Sequence, residues 1–496
     1  MSIWLDHEAL AKTAPAERAA CTSPVPTQIV SNGEYMPAPQ TPAQKRVEHE
    51  IAALAELHGR RLGMDRRRFL KTSCGMAAAF LAMNRVYGAV FDVGVAEAAE
   101  PASAAARAAR LREQAVIDVQ LHFVRDDFAW DGILELGEYA KRWNPVLERE
   151  GVTMQRYKFE NFLKEVFLDS DTRVGLVSAA PSDEATHSIV SNAQLARARA
   201  IVNEIAGSRR MLAHSVIRPG WPGWLDEIDR ALEQARPDSW KGYTVGDPLA
   251  PSKFPWRLDD EKLVYPAYEK MLKSGVRTVC IHKGLLPADY ESSFEHWRYA
   301  RVDDVGKAAK DWPQLTFVIY HSGLKPFLTS PDESLAQFEK TGRMDWVTDL
   351  AEIPAKYGVT NVHGELGTAF ASSAITHPRH AAALLGTLIR GLGADHVLWG
   401  TDSVWYGSPQ WQIEAFRRIE IPADMQKAHG FAELGADDGA VKSAILAGNA
   451  ARLYGLDLHA LAESAKIDRL AALKAEYQAS GAERSNLAYG FVRAAI

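Results

Sequence analysis

Cysteine is scarce in this chain: Cys21, Cys74 and Cys280 are the whole complement of 496 residues. That excludes a fold stapled by disulfides, and no Cys/His spacing suits a zinc finger. Positive charge is not in excess either. The 57 Lys and Arg stand against 63 Asp and Glu, and without a basic patch nucleic acid is not an expected partner. Long apolar runs are missing too, since the most apolar early segment, Ala77 to Met83, is too short for a stable membrane span. What is present is 47% hydrophobic and 24% charged residues, enough to bury a large core as one extended domain or two ordinary ones.

Residues 1–63 differ in composition from the rest. A Pro/Thr/Ser-rich start, Thr22 to Pro42, leads into a polar helical run from Pro42 to Leu62, and together they read as an arm. Residues 64–107 bring Met64-Asp65-Arg66-Arg67-Arg68-Phe69-Leu70-Lys71, then the apolar Ala77 to Met83, then the small-residue stretch Ala96 to Ala106. Basic, apolar and small segments in that order form an export signal. Arg66-Arg67-x-Phe69-Leu70-Lys71 resembles the twin-arginine consensus, whose pathway exports folded proteins, so a periplasmic location is expected. The alternative is a cytoplasmic protein in which Arg66 to Arg68 form a solvated helix turn before a buried helix, and the long upstream stretch supports it. Cleavage near Ala96 to Ala104 would leave Cys280 alone, unable to form an internal disulfide. Lys71-Thr72-Ser73-Cys74 follows the basic stretch directly and is not a lipoprotein-type site.

Eight candidate strands begin near Val116, Arg173, Met211, Trp240, Arg277, Thr316, Val359 and His396, each followed by a segment that is helical or long enough to hold a helix. Such spacing suits βα units, and eight in succession predict a (β/α)8 TIM barrel over residues 108–496 rather than an open doubly wound sheet. The aromatic-rich interval from Asp126 to Asn161 is expected as a loop over the barrel mouth. After Leu456, charged, alanine-rich helices are expected to pack outside the barrel or against a partner subunit, a homodimer being the assembly that would follow.

The first strand, Ala115 to Val124, is apolar and ends in Gln120 and His122, whose spacing of two sends both to one face. Later apolar runs end alike, in His282, His321 and Asp402. Barrel chemistry sits at the C-terminal ends of strands, where these residues fall. His122, His282 and Asp402 would supply two imidazole nitrogens and a carboxylate, a set suited to Zn2+ with one position open, with Mn2+ as the alternative. Gln120 would add its side-chain carbonyl, or lie behind the ligands and orient a water.

The order of the x-x-His element on the first strand, His282, His321-Ser322-Gly323 and Gly400-Thr401-Asp402 resembles the amidohydrolase superfamily. The branch it resembles holds metal-dependent amidohydrolases and aromatic-acid decarboxylases, and the likeness covers roughly residues 115–457. It implies a TIM barrel, a divalent metal, and a histidine after strand six that polarises or moves protons, here His321. One departure stands out: the usual first pair is His-x-His, or Glu-x-His in some decarboxylases, where this chain has Gln120. Lys241 invites comparison with the carboxylated lysine of binuclear relatives, but at the start of its strand it is expected to point to the wrong end of the barrel.

Other residues carry open readings. Asp402 could also accept a proton from bound water. Glu365 is an acid/base group, a hydrogen-bond partner of a ligand histidine, or a cap of the next helix, and Lys283 reads as a solvated loop cation. Arg218 would bind a substrate carboxylate, with Trp221, Trp224, Trp405 or Tyr406 lining the pocket, although surface packing explains such aromatics equally well. The expectation is a metal-dependent hydrolase of a small-molecule amide, ester or lactone. A non-oxidative decarboxylase of an aromatic acid is the alternative, and a barrel that has lost its metal and serves as a binding module is the third reading, motivated by Gln120.

Overall fold

The computed structural model describes residues 12–15, 23–25, 27, 40–125, 158–184, 188–248, 252–286, 290–293, 295–325, 331–404, 408–480 and 491–493. Short segments rich in β-branched and aromatic residues form eight strands: β1 (Ile117–Leu121), β2 (Val174–Val177), β3 (Met211–Val216), β4 (Ser239–Tyr243), β5 (Thr278–His282), β6 (Thr316–Tyr320), β7 (Val362–Glu365) and β8 (Val397–Leu398). They lie in sequence order in one sheet, each parallel to the next. The ring closes through Val119 N–H to the Trp399 carbonyl at 3.0 Å and Asp402 N–H to the Gln120 carbonyl at 2.9 Å. The fold is a (β/α)8 barrel, as the strand spacing predicts.

Each β-strand sends the chain through a helix on the outside before the next begins. After β2 the helix Asn192–Ala206 starts from a Ser191 and Gln194 capping box and stops at Gly207, whose φ of 72° allows the left-handed turn. After β7 the helix Pro378–Leu392 buries an almost continuous Ala/Leu face. One expected start is late. β7 begins at Val362 rather than near Val359, because Asn361 first ties off the turn by donating to the carbonyls of Ala309, Trp312 and Leu315. Inside the barrel Val119, Leu176, Leu212, Cys280, Val318 and Leu398 form one cluster with Tyr320. Each such aliphatic side chain contributes about 1.5–3 kcal/mol by leaving water.

Before the barrel come α1 (Pro42–Arg61), α2 (Arg66–Leu70), α3 (Ser73–Tyr87), α4 (Val95–Ala99) and α5 (Pro101–Leu111). Their apolar residues share one core cluster with the outer helices of the barrel. The boundary expected at residue 107 falls inside α5, which therefore bridges the two regions. After the barrel, Leu458–Ile467 and Arg469–Ala479 are helices. The second lies against the barrel's flank through buried Leu470, with Lys474 donating to the Ser170 carbonyl and Tyr477 to Asp169. Among the described residues no helix is long and apolar enough to cross a membrane. Most of the expected loop from Asp126 to Asn161 lies outside the described residues.

Candidate active site

Gln120, His122, His282, His321, Glu365 and Asp402 come together at the C-terminal ends of β1, β5, β6, β7 and β8. Asp402 is the hub. Its Oδ1 receives the Gln120 amide N–H at 3.0 Å and lies 3.1 Å from His122 Nε2, and its Oδ2 receives the Thr368 hydroxyl at 2.5 Å. On the other side His321 Nε2 stands 3.0 Å from His282 Nδ1 and 3.4 Å from the Gln120 amide nitrogen. The rings of His282 and Tyr243 stack at 4.6 Å, which sets one face of His282.

The backbone at these strand ends is unusual. Leu285, His321, Ser322, Thr368 and Asp402, all just beyond β5 to β8, have φ between 43° and 61°. Non-glycine residues adopt that region at a cost of about 1–3 kcal/mol each, and such conformations gather where side chains must be aimed. Glu365 shows how the turns are held. Its carboxylate accepts the N–H of His321 at 3.1 Å and of Gly367 at 2.6 Å. It fits only because Gly367 and Gly400 are bare: a Cβ would stand 2.7 Å and 1.8 Å from Glu365 Oε1. Of the roles open from the sequence, these contacts make Glu365 a clamp on the two site turns.

Burial sets the charges. It pushes His282 well below the usual imidazole range, helped by His321 and Lys241, and brings His321 down to about 4, so both rings are neutral at neutral pH. Burial would raise Asp402, but the His122 hydrogen bond and the nearby imidazoles overcome it and hold the carboxyl at about 2. Glu365 is pushed up to about 8 by burial against the pull of its two N–H donors. The Nδ1 of His321 lies 2.7 Å from the Gly367 carbonyl, an acceptor only, so Nδ1 carries the proton and Nε2 presents its lone pair inward.

The site has the donors a divalent cation requires, namely neutral imidazoles beside an ionised carboxylate. Among the described residues no three His, Cys, Asp or Glu side chains form a ready-made cage; they hydrogen-bond to one another instead. The Gln120 amide nitrogen faces two acceptors, Asp402 and the His321 lone pair. Its carbonyl oxygen is thereby turned against Gly367, where a Cβ would come within 2.2 Å of it. Gln120 thus offers donors to the site and joins its two halves.

Several expectations change. Lys283 is not a solvated cation: it is fully buried and pairs with Asp304 at 2.8 and 2.9 Å and with the Tyr299 carbonyl at 2.6 Å, anchoring the residue after His282. Lys241 is not at the start of its strand. It is the third of five residues of β4, fully buried, with Nζ 3.4 Å from the Tyr320 ring centre and no hydrogen-bond partner among the described residues. Arg218 lies beyond β3, half-buried and stacked 4.3 Å over Trp221, and takes no part in the hydrogen bonds described above for the histidine cluster. Trp405 and Tyr406 lie outside the described residues.

Sequence reasoning passed over Asp118 and Thr368. Asp118, fully buried, accepts the N–H of Gln120 and of Thr401, both at 3.1 Å, and the Thr401 hydroxyl at 2.5 Å, which pins β1 to the Asp402 turn. The signal available was its place two residues before Gln120 and four before His122. Lys241 gives a stability prediction. Burial lowers its amine to about 7 from 10.5, so the penalty is absent above pH 10.5, grows as pH falls and is complete below about 7. Lys241→Met should therefore stabilise the protein by about 1–4 kcal/mol at pH 6 and by less at pH 9, read from chemical denaturation. A loss of stability at both would refute the argument.

Residues 117–456 match the amidohydrolase family. A search of curated proteins gives no match. Among solved structures, a TIM-barrel protein from Bordetella bronchiseptica is 16% identical, with 70% of this chain and 99% of that chain covered and a TM-score of 0.42. The 4-oxalomesaconate hydratase of Rhodopseudomonas palustris is also 16% identical, covering 74% and 99% at a TM-score of 0.39. A dihydroxybenzoic acid decarboxylase from a Polaromonas species, solved with bound manganese, is 14% identical, covering 69% and 97% at a TM-score of 0.37.

Proposed function

The chain belongs to the amidohydrolase family, and from that footing we propose that it is a metal-dependent hydrolase acting on a carbonyl of a small molecule. His122, His282 and Asp402 would hold a divalent cation, Zn2+ or Mn2+, which when bound supplies Lewis acidity toward a carbonyl and toward water. The observation that carries the reading is the fixed tautomer of His321. With Nδ1–H held by the Gly367 carbonyl and the ring neutral, Nε2 turns its lone pair into the site, where it now accepts from Gln120 and would take a proton from an attacking water that displaces that contact. Gln120 ties the Asp402 carboxylate to the His321 lone pair by donating to both. Arg218, braced on Trp221, would meet a substrate carboxylate arriving from the β3 side.

Decarboxylation asks for a different starting state, because a proton must be delivered to carbon as carbon dioxide leaves. His321 Nε2 has none to deliver in this tautomer, which favours hydrolysis. The test is a panel of amides, esters, lactones and aromatic acids, assayed with protein loaded with Zn2+ or with Mn2+ and scored for both new acid and released carbon dioxide. New acid is expected. Carbon dioxide from an aromatic acid with no hydrolysis would replace this reading with the decarboxylase, and firm substrate binding without turnover or metal would replace it with a binding module.

A further inference from the structure

We infer that the twin-arginine-like stretch and the helices after it, residues 66–111, are a permanent wall of the folded protein and not a leader that is cut away. An export signal must present its apolar segment to the translocation machinery. Here that segment is α3, and Ala77, Ala78, Ala79, Phe80, Ala82 and Met83 are all completely buried. Gly75 lets α3 touch the end of α2 backbone to backbone, since a Cβ there would stand 2.4 Å from the Phe69 carbonyl oxygen. Phe69 itself is buried and stacks on His58 of α1, so the upstream arm residues are part of the same packing.

The downstream chain is woven into the barrel's outer layer. Asn84 turns it back by accepting the N–H groups of Val90 and Phe91 and donating to the Phe91 carbonyl. Phe91 then pairs antiparallel with Ile419, with Asp92 N–H on the Arg418 carbonyl at 2.7 Å and Glu420 N–H on the Val90 carbonyl at 2.8 Å. Arg418 is 2% exposed, and its guanidinium rests 5.2 Å from the Phe80 ring centre and binds Glu97 at 2.5 and 3.0 Å. A cut between Ala96 and Ala104 would take Phe80 and the Val90–Asp92 pairing away. It would uncover the Arg418 guanidinium on the side where Phe80 packs, with Glu414 still beside it.

The resemblance to an export consensus has a local cause. Asp65 caps α2 by accepting the Arg68 N–H at 2.8 Å, the three arginines of its first turns point into water, and Phe69 and Leu70 turn inward. A capped basic turn followed by an apolar helix reproduces the same order of residue types. The proposed cleavage stretch is likewise helical over Val95–Ala99 and Pro101–Leu111, whereas proteases take extended chain.

The experiment is to isolate the full chain from its own cells and determine its intact mass and N-terminal sequence. Residues 66–107 should be present, and a mature chain beginning between residues 96 and 108 would overturn the inference. Native-state hydrogen exchange on the same material gives an independent readout. Amides of Ala77 to Met83 should exchange as slowly as those of β5 and β6, and exchange within seconds would overturn it equally. Arg66→Lys with Arg67→Lys should leave the distribution between cell fractions as in the parent, whereas loss of a periplasmic pool in that variant would show a working signal.

Discussion

Protein in which His122 and Asp402 are both replaced by alanine is expected to emerge from purification with about a tenth or less of the parent's divalent metal per chain, and without turnover. The double change removes the ionised carboxylate beside the histidine cluster and one of the cluster's imidazoles. Asp402 also collects the Gln120 amide, the Thr368 hydroxyl and His122. Without it Gln120, Thr368 and His122 lose their shared acceptor, and a cation held by His282 would lack the counter-charge that Asp402 supplies. Elemental analysis of the parent and the variant, each exposed to Zn2+ and to Mn2+ and then dialysed, decides the matter. Equal metal in both would show that the cation, if bound, is held elsewhere.

The barrel was legible because its signal is repetitive. Eight apolar, β-branched runs at intervals that fit one helix each leave little choice of architecture, and an error of three residues at Val359 changes nothing in the order of strands. The site was legible where a polar residue interrupts the end of an apolar run, as at His122, His282, His321 and Asp402. It was illegible where partners come from elsewhere in the chain. Lys283 looks like a loop cation until Asp304, 21 residues on, is seen to neutralise it, and nothing in the local sequence announces that pairing. Lys241 misled for another reason. Its strand starts one residue before the expected Trp240 and is only five residues long, Ser239 to Tyr243, so the position taken for the beginning of β4 is its centre.

Gln120 shows the limit of reading a residue by the role its position usually fills. As a stand-in for histidine it looked like a weakened ligand and suggested a barrel that had lost its metal. Its contacts give it work that neither a neutral histidine nor an ionised glutamate can do at that point: one amide group donates to a carboxylate and to an imidazole lone pair at once. A protonated histidine could also donate twice, but it would add a positive charge beside His282 and His321, both already held neutral by burial. The neutral amide joins the halves without that cost.

Changing His321 to asparagine is expected to lower turnover by about 100- to 10,000-fold while metal content stays at the parent level, because a positioned acid-base group is typically responsible for that much rate. Asparagine suits the experiment, since it tolerates the left-handed backbone, φ 60°, that residue 321 adopts and keeps a donor for the Gly367 carbonyl. Acid stability supplies the second readout, and its sign follows from the titration. The folded-state value of His321 is depressed from 6.5 to about 4, so its contribution to stability is complete above pH 6.5 and is lost as pH falls through about 4. Over that window the metal-free parent should lose about 3 kcal/mol on account of this ring. The His321→Asn variant, having nothing to protonate there, should lose correspondingly less between pH 6.5 and 4 in parallel denaturation curves. Should the variant instead arrive without metal, His321 is a ligand, His282 loses its assigned place, and the proton-accepting role passes to Asp402, whose carboxylate at about 2 would make it a weak base for the task.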